Sequence, residues 1–171
     1  MIGVAPSLKR LDRAIDLLEV LLEDDGRYCL RVKGKNPLDY GCLLKREDEL
    51  EYYKKIFERL KNNSTLRYKV IFDPPGDDIN DWLTLVGYIL SPSDFESFHM
   101  AVGEGMLSGS IPLIWNWEGA QEIWGERWIV SDVTQAKRAV LEWDVSYDMI
   151  KESLSHLSPG RVIEAWQEIL N

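Results

Sequence analysis

Gly87-Tyr88-Ile89-Leu90-Ser91-Pro92-Ser93-Asp94-Phe95-Glu96-Ser97-Phe98-His99-Met100-Ala101-Val102-Gly103-Glu104-Gly105-Met106 is the stretch on which the reading of this chain turns. It opens as a short apolar strand, Gly87 to Ser91, and its second half, Phe98 to Leu107, reads as a helix ending near Gly109. The small polar residues between them leave backbone N–H groups exposed at a helix N-terminus. Those orphan donors, with the positive end of the helix dipole, suit a phosphate or diphosphate. Glu96 lies just before the helix and Glu104 on it. Eight residues at about 100° each bring Glu104 back to within about 80° of the starting direction. Two carboxylates beside an anion site do not bind the anion; they accept hydrogen bonds from hydroxyls, as a sugar or a ribose presents them.

Outward from this stretch, strand and helix alternate about six times. Met1 to Ala5 reads as a buried strand. Leu8, Leu11, Ile15, Leu18 and Leu22 give residues 8–24 one apolar helical face. Strands follow at Tyr28–Val32, Tyr68–Phe72, Gly87–Ser91, Ile111–Trp115 and Trp128–Val130, separated by helices over 47–61, Ile79–Leu85, Phe98–Leu107 and Gly119–Trp124. Residues 133–143 and 146–170 are helical, with a break at Ser158-Pro159-Gly160. Short, wholly apolar strands separated by helix-length segments predict a six-stranded parallel sheet covered on both faces, a three-layer α/β/α domain. Ligands of such sheets bind at the carboxyl ends of the strands.

Composition narrows the classes. The 171 residues carry a formal net charge of −9, and the pI is about 4.8. So acidic a surface repels nucleic acid backbones, although a local cluster of donors still binds a small anion. The cysteines, Cys29 and Cys42, and the histidines, His99 and His156, have no zinc-ligand spacing. We read the thiols as reduced and the protein as cytoplasmic. Met1 to Pro6 is too short for a signal peptide, and no apolar run reaches the roughly 20 residues of a membrane span. A phosphorylated receiver is disfavoured because Asp73 lacks acidic companions.

The chain resembles the retaining glycosyltransferases of GT-B fold known as family 4 or glycosyl transferases group 1. The resemblance rests on Pro92-Ser93, on Glu96-Ser97-Phe98-His99 and Glu104-Gly105-Met106 as a Glu-x7-Glu motif, and on Gly109 and Pro112-Leu113-Ile114. Trp117-Glu118-Gly119-Ala120 with Glu122 stands where the family has a glycine-rich turn and a glutamate. It implies the Rossmann-like C-terminal half of a GT-B fold, a single nucleotide-sugar-binding domain over 1–171.

The roles it implies are specific. Glu96 would contact hydroxyls of the donor sugar, and Ser97, Phe98 and His99 would offer backbone N–H groups to the sugar and diphosphate. Glu104 would hold the ribose. Lys9 matches the family lysine that neutralises the departing diphosphate. Gly34, Lys35 and Asp73 would line the base pocket. No Asp-x-Asp triplet occurs, so no metal and no cofactor beyond the nucleoside diphosphate sugar is expected. Val4 stands where the family has arginine, unless Arg10 or Arg13 turns inward to replace it, and His99 and Ser97 replace glycines.

The expected activity is transfer of a hexose to a glycan or lipid-linked acceptor, in glycan biosynthesis. This domain alone is expected to be inactive, because an acceptor domain of roughly 150–200 residues is missing from it. Residues 146–171 are expected to pack on that missing domain or on a partner subunit, and any peripheral membrane association is expected through the same missing half. The alternative is a non-catalytic interaction subunit of a split glycosyltransferase.

Overall fold

The computed structural model describes residues 1–170, and of residue 44 the backbone only. After an extended N-terminal segment and a 3-10 turn at Ser7–Lys9 come α1 (Leu11–Leu22), β1 (Leu30–Lys33), α2 (Glu47–Asn62), α3 (Ser64–Lys69), β2 (Val70–Asp73) and α4 (Ile79–Leu83). The second half runs β3 (Tyr88–Ser91), α5 (Met100–Leu107), β4 (Ile111–Trp115), α6 (Ala120–Trp124), β5 (Ile129–Val130), α7 (Val133–Glu142), α8 (Tyr147–Ser153) and α9 (Pro159–Leu170).

All strand pairs are parallel, but they do not form one six-stranded ladder. β1 pairs with β2, and β3, β4 and β5 form a second sheet in that order. The N-terminal segment, expected as a full strand, contributes a single parallel bridge, Ile2 to Lys33. Gly3 explains the correction: at φ +68 it leaves the extended region, so the ladder cannot continue toward Val4. The two sheets are nevertheless joined by one core. Met1 and Val4 pack in the same cluster as Val32 and Val70 on one side and Leu90, Leu113 and Val130 on the other.

Both faces of the β3–β5 sheet are covered, as the apolar strands require. Along β4, Leu113 and Trp115 enter the core shared with α1 and α7. Ile114, between them, turns to a second core with Val102, Met106, Trp124, Trp128 and Ile150 of the opposite helices. This period-two alternation produces the three layers.

Four boundaries differ from the sequence reading for local reasons. Asn63 caps α3 by accepting from the Thr65 and Leu66 amides at 3.0 and 3.1 Å, so Tyr68 is helical and the strand begins at Val70. Arg10 and His99, at φ 51 and 60, adopt left-handed backbone and delay α1 and α5 to Leu11 and Met100. Pro159 begins α9 instead of interrupting a helix, since proline suits the first helical position.

Candidate functional site

The site forms where the segment after Ile2 meets the loop after β3, at the carboxyl ends of the strands. The first loop is held from beneath by α2. Ser7 donates its backbone N–H and its hydroxyl to the two carboxylate oxygens of Glu49, each at 2.8 Å, and Glu49 is 2% exposed. Tyr53 donates its hydroxyl to the Val4 carbonyl at 2.6 Å. Tyr52 donates to the Asp12 carboxylate at 2.6 Å and accepts from the Asp12 amide at 3.1 Å. The second loop is tied to the first by the Asp94 amide, which donates to the Leu8 carbonyl at 2.9 Å.

These anchors bring Lys9 and Glu96 together. Lys9 Nζ donates to Glu96 Oε1 at 2.6 Å, and the Ser93 hydroxyl donates to the same oxygen at 2.6 Å. Glu96 has only 9% of its side chain exposed, and these two donors satisfy its buried oxygen. His99 Nδ1 lies 3.4 Å from Glu96 Oε1 and 2.6 Å from Ser91 Oγ. Burial pushes the imidazole down to about 4; the Glu96 charge opposes this without overcoming it. His99 is therefore neutral near pH 7, and its contact with Glu96 is not an ion pair.

Arg10 and Arg13 do not turn inward to stand in for the cation absent at Val4. Arg10 Nη1 and Arg13 Nη2 both grip Asp94, at 3.0 and 2.8 Å, and Arg13 also donates to the Pro92 carbonyl at 2.9 Å. Val4 itself is buried in the core. The two arginines thus brace the loop that carries Glu96.

Gly34 and Asp73 meet at the ends of β1 and β2, where the Gly34 amide donates to the Asp73 carbonyl at 3.0 Å and Gly34 lies against the Gly3 backbone. The Asp73 carboxylate is engaged by Arg31 at 2.7 and 2.9 Å and by Trp82 Nε1 at 2.8 Å, and Arg31 foremost holds it below the usual carboxylate range. Three hydrogen bonds to the Asp73 carboxylate are thus made within the chain. Lys35 Nζ sits 4.9 Å from the centre of the Tyr40 ring.

Glu104 is not brought into the Lys9–Glu96 cluster by any contact. Because α5 begins only at Met100, the helical rotation expected between the two glutamates does not describe them. Glu104 is exposed and lines an apolar groove of about 520 Å³ with Phe98, Met100, Leu107 and Leu157. The Phe98 ring lies 5.0 Å from that of Trp124, and Ser97 is exposed. A separate apolar hollow of about 330 Å³ opens at the amino ends of the strands, beside Leu17, Tyr28 and Leu90. Among the described residues no group of three His, Cys, Asp or Glu could hold a metal ion.

Glu49, Ser91 and Asp94 belong to this site and were given no role from the sequence, and Ser93 and Trp117 were read there only as parts of motifs. Ser91, Ser93 and Asp94 lie inside the deciding stretch, and an oxygen-bearing side chain at a strand's carboxyl end was a readable signal. Glu49 carried none, because its partner Ser7 is 42 residues away.

No protein-family model matches the chain, and no curated protein matches it. Solved structures do match its fold. TarM of S. aureus, in a crystal structure with Fondaparinux, alpha-GlcNAc-glycerol and UDP, superposes with a TM-score of 0.74 over 99% of this chain at 14% identity. HepE of Anabaena in complex with UDP superposes with a TM-score of 0.69 over 99% at 16% identity, and its complex with UDP and glucose with 0.65 over 99% at 17%. The chain covers 34% of TarM and 46% of HepE, so it spans about a third to under a half of these proteins. The likeness shows the fold, the Rossmann-like half of a GT-B architecture.

Proposed function

We propose that the chain is the donor-binding half of a glycosyltransferase and holds a nucleoside diphosphate sugar beside Lys9 and Glu96. The observation that carries this reading is the 2.6 Å Lys9–Glu96 pair, assembled from two distant loops at the carboxyl ends of the strands. The UDP in the matched TarM and HepE structures supports it. A cation and a hydroxyl acceptor held side by side suit the two halves of such a ligand. Lys9 would neutralise the diphosphate, most strongly as the glycosidic bond breaks and the leaving group gains charge. Glu96 would accept from sugar hydroxyls, while the amides of Ser97, Phe98 and His99 would meet the diphosphate at the start of α5. Glu104 would hold the ribose, and the backbone at Gly34, Lys35 and Asp73 would border the base.

In this reading the reaction is a retaining hexosyl transfer to a glycan or lipid-linked acceptor, without a metal. It needs a second domain, on which residues 146–171 would pack; residue 171 lies outside the described residues. The exposed thiols of Cys29 and Cys42 fit a cytoplasmic setting, and no helix among the described residues is long and apolar enough to cross a membrane. The exposed apolar face of α9 also favours a second reading, a non-catalytic subunit that uses this fold to hold a partner.

Calorimetry with UDP-, ADP- and GDP-glucose separates the two. Binding of one of them is expected from the donor domain; no heat with any at millimolar concentration would favour the interaction subunit.

A further inference from the structure

His99 Nδ1 sits at the end of a hydrogen-bond chain with a fixed direction. The Trp117 indole can only donate, and it donates to Ser91 Oγ at 3.1 Å. Ser91 is fully buried, and its hydroxyl has one hydrogen to place. His99 Nδ1, 2.6 Å away, is the acceptor within reach. A hydrogen on Nδ1 would face the hydroxyl and strand that buried hydrogen without a partner, at a substantial cost. Nδ1 is therefore bare, and the neutral ring carries its hydrogen on Nε2.

Glu96 does not compete for Nδ1. Its nearest oxygen, Oε1 at 3.4 Å, already accepts from Lys9 and Ser93 at 2.6 Å each. Nε2 has no hydrogen-bond partner among the described residues. Nor is it sealed from solvent: the buried side-chain atom left without a partner among the described residues is Trp124 Nε1. The result is an N–H donor without a partner among the described residues, on a side chain 6% exposed and held beside the Lys9–Glu96 pair.

We propose that the Trp117–Ser91–His99 chain locks His99 as a neutral Nε2–H donor to an oxygen of the bound nucleoside diphosphate sugar. This rests on the donor-site reading above. His99 takes no proton in the reaction; it binds and orients, and Ser91 and Trp117 position it.

Protein labelled with 15N-histidine tests the lock without any ligand. The chain has two histidines, so His156→Gln assigns the signals. Long-range 1H–15N correlation is expected to show a bare Nδ1 and a protonated Nε2 from about pH 5 to about pH 8, and Ser91→Ala is expected to release a mixture of tautomers. A protonated Nδ1, or a ring that charges near its ordinary pKa, overturns the proposal. The ligand arm uses UDP-, ADP- and GDP-glucose in calorimetry. His99→Gln places an amide N–H near the Nε2 position. His99→Asn tolerates the left-handed backbone but its amide stops short. The Gln variant should bind within ~3-fold of the wild type, and the Asn variant ~10-fold more weakly. Equal affinity of the Asn variant and the wild type overturns the donor role and leaves the donor site standing. No binding by the wild type to any of the three overturns the donor-site reading, and with it the ligand half of this proposal, whatever the spectra show.

Discussion

Lys9 and Glu96 are at once partners and competitors for any ligand, because each neutralises the other at 2.6 Å. A ligand that separates them must replace both sets of interactions, which distinguishes their roles experimentally. In the donor-site reading, Lys9→Met removes the ammonium that would face a diphosphate and should weaken UDP itself by ~10-fold or more, whereas Glu96→Gln should leave UDP nearly unchanged and weaken UDP-glucose by a similar factor. Calorimetry with both ligands reads the split; an equal loss of both in the Glu96 variant would make Glu96 only a holder of Lys9. His99 adds a pH signature. Burial holds it at about 4, below the ordinary imidazole value of 6.5. Between those values the unfolded chain binds a proton that the folded chain refuses, so stability is lost as the pH falls through that window. The loss relative to His99→Gln should reach about 2–3 kcal/mol near pH 4 and vanish above pH 7. Denaturant titrations of both proteins at matched pH measure it, and carboxylate titrations common to both cancel.

At the scale of elements, α5 follows directly on Ser97, Phe98 and His99 and is seated on β3 through Gly105. A Cβ at this position would lie 2.8 Å from Cβ of Ile89, well inside contact distance, while one at Gly103 would meet the Trp124 ring at 3.2 Å. Gly105→Ala should therefore lift α5 from the sheet and destabilise the fold by about 1–3 kcal/mol, with Gly103→Ala milder. Urea midpoints check the order, and a weaker UDP affinity in the Gly105 variant would show that the α5 N-terminus had moved with its seat. The elements themselves were largely legible, since apolar runs such as Ile111–Trp115 and the three- and four-residue spacing of Leu11, Ile15 and Leu18 report their own burial. Where reading failed, a backbone or a cap decided. Gly3 turns the first strand into a single bridge, Asn63 extends helix through Tyr68, and the left-handed Arg10 and His99 set helix starts that side-chain pattern does not encode. The site was half legible for a related reason. Glu96 and Lys9 lie on loops where motif and position coincide, whereas the Glu49 support depends on a contact 42 residues long.

Across the whole molecule the two halves of the chain are unequally finished. The sheet is covered on both faces by packed helices, yet α9 buries none of its residues and leaves Val162, Ile163, Trp166, Ile169 and Leu170 between 41% and 78% exposed. Four other tryptophans, at 115, 117, 124 and 128, are at most 4% exposed, so Trp166 on an open face is not how this fold otherwise uses indole. A helix with its apolar stripe in water adds little to the stability of the domain beneath it. Truncation after Ser158 should accordingly leave the melting temperature within ~2 °C. It should also raise the concentration at which the protein stays monomeric, because an exposed apolar face drives association. Scanning calorimetry and sedimentation velocity read the two effects separately. A large fall in melting temperature would mean that α9 supports the core after all. An unchanged melting temperature with unchanged association would remove α9 as the face that meets a second domain or subunit.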